Sequence, residues 1–188
     1  SGNGEPSFYS LEDLMLIKDC LLKYKDLFQM VRVHSSGNIF DKDDKFNIFN
    51  EADLPLEFEI LRIALNPNID MNVLGYSNDY LKSPLFKKGH IKCDIALTDY
   101  LENDKFLLQL NKFLESNPSI KKVRLKKLLA GDSNNTRQAK WVLTHSLDNA
   151  SIEKIISELG LTLKDGIYQS ADRKILYKVS GDYDFDYV

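Results

Sequence analysis

Near the start of the chain, apolar residues recur at helical spacing. Leu14, Ile17, Leu21, Tyr24 and Phe28 follow one another at intervals of three and four. That is one stripe on a helix of about five turns over residues 10–29. Ser10 is placed to cap it, with Asp13 three residues later as an acidic capping box and Glu12 in the first turn. The stripe is expected to face a core, since two heptads are too few for a coiled-coil seam. The spacing then changes to two. Val31 and Val33 alternate with Met30, Arg32 and His34, which predicts a strand, and Ser35-Ser36-Gly37-Asn38 predicts a turn. Asp41 to Lys45 is a charged loop, and Phe46 and Ile48 predict another short strand. Residues 53–65 fit two patterns. Leu54, Phe58, Leu61 and Leu65 suit a helix capped by Asp53, with Pro55 in its first turn. Leu56, Phe58 and Ile60 against Glu57 and Glu59 suit a strand. Helix is the preferred reading.

Residues 66–90 are rich in Pro, Gly, Asn and Ser and read as loop, a candidate internal boundary or functional segment. Ile91, Cys93, Ile95 and Leu97 alternate as a strand. Asn103 or Asp104 is placed to cap a helix with Leu107, Leu110 and Leu114 inward, flanked by Phe106 and Phe113 and stopped by Asn117-Pro118. Ile120 to Leu129, and Ala139 to His145 around Trp141, fit either period. Asn149 or Ser151 caps a further helix with Ile152, Ile155, Ile156 and Leu159 inward, and Gly160 ends it. A hairpin closes the fold, with arms Leu163 to Gln169 and Lys174 to Val179. The expected class is α+β, a mixed sheet with packed helices, and the last helix followed by a hairpin suggests a winged-helix-like end. One domain over 10–180 is expected, with tails at 1–9 and 181–188.

Composition adds bounds. A chain of 188 residues, 43% apolar and 28% charged, can bury its own core. Its formal net charge of −3 argues against a uniformly basic nucleic-acid binder. Two cysteines, Cys20 and Cys93, do not make a disulfide framework, and no signal peptide or membrane span is visible, so an intracellular protein, cytoplasmic or nuclear, away from membranes is expected. On that basis the sequons at Asn134 and Asn149 are chance matches. The start at Ser1-Gly2 instead of methionine resembles a protease cut, so a piece of a larger protein is expected.

Searches for chemistry mostly fail. No glycine-rich phosphate loop or Gly-x-Ser-x-Gly elbow is present. A calcium loop from Asp41 would need Gly where Phe46 stands and an acid where Ala52 stands. His90 and Cys93 have the spacing of half a metal site, but His34, His145 and Cys20 supply no matching half. Glu57, Glu59, Asp94 and Asp172, with Lys174, could form a nuclease-type carboxylate cluster if folding brought them together. Asp182, Asp184 and Asp186 read as a solvated acidic tail. No catalytic residue, cofactor or metal ligand is assigned.

Charge distribution says more. Lys121, Lys122, Arg124, Lys126, Lys127, Arg137 and Lys140 face only Asp132 in their stretch, whereas 41–59 is predominantly acidic. The leading expectation is a non-enzymatic protein–protein interaction module or subunit of a larger assembly, with the tail residues Tyr183, Phe185 and Tyr187 as one contact. The alternative is a winged-helix-like nucleic-acid-binding domain using the seven basic residues of 121–140. A metal-dependent nuclease-like enzyme ranks third.

Overall fold

The computed structural model describes residues 6–35, 44–49, 52–66, 69, 90–101, 103–118, 120–130, 136–172 and 174–178. Within them, seven strands form one sheet: β1 (Val31–Ser35), β2 (Leu56–Arg62), β3 (His90–Ala96), β4 (Ile120–Lys126), β5 (Thr162–Lys164), β6 (Ile167–Gln169) and β7 (Ile175–Lys178). Their order is β1-β2-β3-β4-β7-β6-β5. The first four and β7 run parallel, and β5 and β6 pair antiparallel. Four α-helices accompany them: α1 (Leu11–Lys23), α2 (Phe106–Ser116), α3 (Arg137–His145) and α4 (Asn149–Glu158). The architecture is α+β with a mixed sheet. The closing hairpin is part of that sheet, which is larger than a winged-helix sheet.

One face of the parallel strands is apolar, apart from Arg62 at the end of β2, which is fully buried beside Ile95. Phe58 and Ile60 on β2, Cys93 and Ile95 on β3, and Val123 and Leu125 on β4 are all buried. They form one core with Phe106, Leu110 and Phe113 of α2, Ile152 and Ile155 of α4, Leu14 of α1 and Tyr177 of β7. On α2 the inward row is therefore Phe106, Leu110 and Phe113. Leu107, expected to be inward, is exposed and Leu114 only half-buried. The row at i, i+4 and i+7 follows the helical period, and it carries the larger aromatic side chains to the sheet.

The helix expected over 53–65 is instead strand β2. Carboxylates flanked by cations on neighbouring strands can be buried, so polar alternation does not by itself mark a solvent side. Glu57 and Glu59 are buried along with Phe58 and Ile60. The short strand expected at Phe46 and Ile48 is a 3-10 helix, Asp44–Phe49. α1 begins as expected, with Ser10 Oγ accepting from the Asp13 amide at 3.0 Å. It ends at Lys23, and a 3-10 turn follows over Lys25–Leu27. The cap of α4 is Asp148, not Asn149 or Ser151, its Oδ1 accepting from the Ser151 amide at 2.8 Å. Gly160 ends α4 with φ of 59°. The first hairpin arm folds on itself as β5 and β6. Asp165 and Gly166 between them both have positive φ, 52° and 78°, as a tight two-residue hairpin turn requires. Most of the loop at 66–90, and the tail with Tyr183, Phe185 and Tyr187, lie outside the described residues.

Candidate functional site

The other face of the parallel strands is charged. Alternation places Arg32 and His34 on β1, Glu57 and Glu59 on β2, Lys92 and Asp94 on β3, and Lys122, Arg124 and Lys126 on β4 along this face. The parallel register sets opposite charges beside each other, Arg32 with Glu57, Glu59 with Lys92, and Asp94 with Arg124, and places the His34 imidazole beside Glu59. Like charges meet only where Lys92 lies beside Lys122.

The contacts are close. Arg32 Nε lies 2.7 Å from Glu57 Oε1, and Lys92 Nζ 2.6 Å from the same oxygen. His34 Nδ1 is 2.9 Å and Arg124 Nη2 3.0 Å from Glu59 Oε2. Arg124 also grips Asp94 through two nitrogens, at 2.9 and 2.8 Å, and Lys126 Nζ reaches Asp94 at 2.6 Å. The carboxylates are buried, while the cations above them stay partly exposed. Burial alone would push the Glu59 carboxyl up. The His34 hydrogen bond and the charges of Arg124 and Arg32 overturn this and hold it at about 2. Glu57 is likewise held below its ordinary range, because hydrogen bonds from Lys92 and Arg32 outweigh its burial. Burial opposes the charged form of Arg124, yet Asp94 and Glu59 keep its pKa above the ordinary value.

Folding thus brings together three of the four carboxylates named from the sequence. Asp172 stays apart, accepting from Ser170 Oγ at 2.7 Å and from the Lys174 amide at 3.0 Å in the β6–β7 turn. The three that converge are already engaged by protein cations, and a metal ion would have to displace these. Among the described residues no group of His, Cys, Asp and Glu is arranged to hold a metal. Cys93 is buried and Cys20 exposed, and neither is in a disulfide among the described residues.

The basic residues of 121–140 do not gather on one surface. Arg124 and Lys126 belong to the ion-paired layer, and Lys122 shares their face. Lys121 is exposed at the irregularity between β3 and β4. Lys127 Nζ donates to Asn149 Oδ1 at 2.6 Å. Arg137 and Lys140 are exposed on α3.

No protein-family model matches the chain, and no curated protein matches it.

Two further features escaped the sequence reading. Beyond the carboxyl end of β3, His145 Nδ1 lies 3.0 and 3.1 Å from the two Asp99 oxygens. The His145 ring stacks on Tyr100 with centroids 4.9 Å apart and meets Trp141 at 4.8 Å. The spacing of Trp141 and His145, four residues, was the available signal, but it carries weight only once 137–145 is known to be helical. The second feature is α1. Seven of its thirteen residues are Leu, Ile or Met, and only Leu14 is buried. Leu16 is 65% exposed, and the flanking Phe8 and Leu27 are 84% and 80% exposed. Ile17 and Tyr24, expected to be inward, are exposed as well. Among the described residues, no helix is long and apolar enough to cross a membrane.

Proposed function

We propose that the chain is a non-enzymatic protein-interaction module that docks a partner helix along α1. The observation carrying this reading is the mismatch on α1 between apolar content and burial. A helix apolar on most sides is ordinarily enclosed, and contiguous exposed apolar surface marks interaction sites. Leu11, Met15 and Leu22 form one row at spacings of four and seven, and Leu16 adds an apolar position on the outward side between Glu12 and Asp19. An amphipathic helix with basic flanks fits this surface, its apolar stripe covering Met15 and Leu16 and its cations meeting Glu12 and Asp19.

The test places a photo-crosslinking residue at Leu16 and, as control, at Leu163 on β5, in the host cell. The expected result is a discrete adduct from position 16 only, mapping to an amphipathic basic helix and lost when Met15→Lys is added. Equal adducts from both positions, or none from position 16, would overturn the reading.

A further inference from the structure

The cluster at the carboxyl end of β3 has features of a ligand site that the ion-paired layer lacks. Tyr100, Trp141 and His145 are each only half-buried. Tyr100 and Trp141 lie 6.2 Å apart at 24°, so the three rings pack on one another and leave no slot between them. Their outer surfaces are what a ligand would meet. Asp99 takes His145 Nδ1 and leaves Nε2 as the ring nitrogen open to a ligand. Among the described residues, Tyr100 Oη and Trp141 Nε1 make no hydrogen bond, so polar tips stand beside ring faces.

Charge selects the ligand. Arg137, Trp141 and His145 fall at i, i+4 and i+8, a single row along α3. Lys140 lies beside that row, and α3 contains no acidic residue. A cationic ligand would meet the like charges of Arg137 and Lys140, and the carboxylate of the cluster, Asp99, is already engaged by His145. An anionic ligand with flat apolar faces would meet a guanidinium, an ammonium and the stacked rings together. Parallel sheets gather ligands outside the carboxyl ends of their strands, which is where Asp99 and Tyr100 stand.

We infer that Tyr100, Trp141 and His145, with Arg137 and Lys140, form a stacking site for single-stranded nucleic acid. Unpaired bases lie against the aromatic surface, and Arg137 and Lys140 meet the phosphates. A duplex is a poor ligand because its base faces are already stacked. The site shares no residue with α1, so either surface can fail without the other.

Trp141 is the single tryptophan of the chain, so its emission reports on the site itself. The experiment titrates the protein at low salt with end-labelled single-stranded DNA and RNA of about twelve nucleotides, a length within the range such sites cover. A duplex of the same sequence is the comparison, and Trp141 emission is read together with label anisotropy. Saturable quenching is expected to track anisotropy. Affinity is expected to fall roughly tenfold or more for the duplex and for Arg137→Glu, and to weaken with salt at a log–log slope of about −0.7 per phosphate contact. Lys122→Glu, on the charged sheet face, is expected to leave it unchanged. Arg137 is exposed, so its variant is read on a folded protein, checked by circular dichroism. Three results would each overturn the inference: no binding at low salt, binding without quenching, or binding that Arg137→Glu leaves intact.

Discussion

Glu59 shows how far a single residue's surroundings can turn its chemistry. Its folded-state pKa of about 2 lies below the ordinary 4.5, so the ionised form is favoured by folding. That contribution is fully present above pH 4.5 and disappears as pH falls toward 2. By linkage it amounts to about 3 kcal/mol. Urea unfolding between pH 6 and pH 2.5 is expected to show a steep loss of stability over this window, shallower in Glu59→Gln. At neutral pH that variant is expected to be less stable by about 1–3 kcal/mol, because it leaves Arg124 short of a counter-charge in a partly exposed layer. A pH profile unchanged by the substitution would show that Glu59 contributes nothing to acid stability. The sequence named Glu57, Glu59 and Asp94 as acids that could converge. It could not show that Arg32, Lys92 and Arg124 would arrive with them, because the register across four strands is decided by pairing between segments far apart in the chain.

At the scale of elements, legibility followed the local signal. α1 starts at its predicted cap, and α4 is capped one residue before the nearer of its two predicted caps, since capping is written in adjacent residues. β2 reads as a helix in sequence because its glutamates fit the solvent side of one, whereas partners on other strands make their burial tolerable. The β5–β6 turn is legible in Asp165-Gly166, a strong short-range hairpin signal that competes with one longer arm over 163–169. On α2 the inward row makes a measurable claim. Leu110 is fully buried, and Leu110→Ala is expected to destabilise the protein by roughly 2–5 kcal/mol, against little change for Leu108→Ala on the exposed side. Chemical denaturation of the two variants checks this. Similar losses for both would mean that α2 packs with a different face inward.

The whole molecule was legible as a class but not as a topology. A mixed sheet with packed helices could be argued from alternating periods. The order of strands could not, because parallel neighbours are joined by long crossovers and no local pattern names the partner. One core runs from Leu14 on α1 to Tyr177 on β7, so the ends of the described chain share a single apolar cluster. Unfolding is therefore expected to be one cooperative transition. Far-ultraviolet circular dichroism and Trp141 emission should give coincident midpoints in urea, and separated midpoints would mean that α3 and its surroundings unfold independently of the sheet.

The two unlike faces of the sheet also act as a proofreading device for folding. Parallel strands must find one another across long stretches of chain, which is slow and open to error. A slip of one residue turns every side chain to the opposite face. For β2 such a slip would drive Glu57 and Glu59 into hydrocarbon and lift Phe58 and Ile60 among arginines and lysines. Both halves of that exchange are costly, so the misaligned sheet is disfavoured. The charges that look like a binding surface also serve as the code by which each strand recognises its seat.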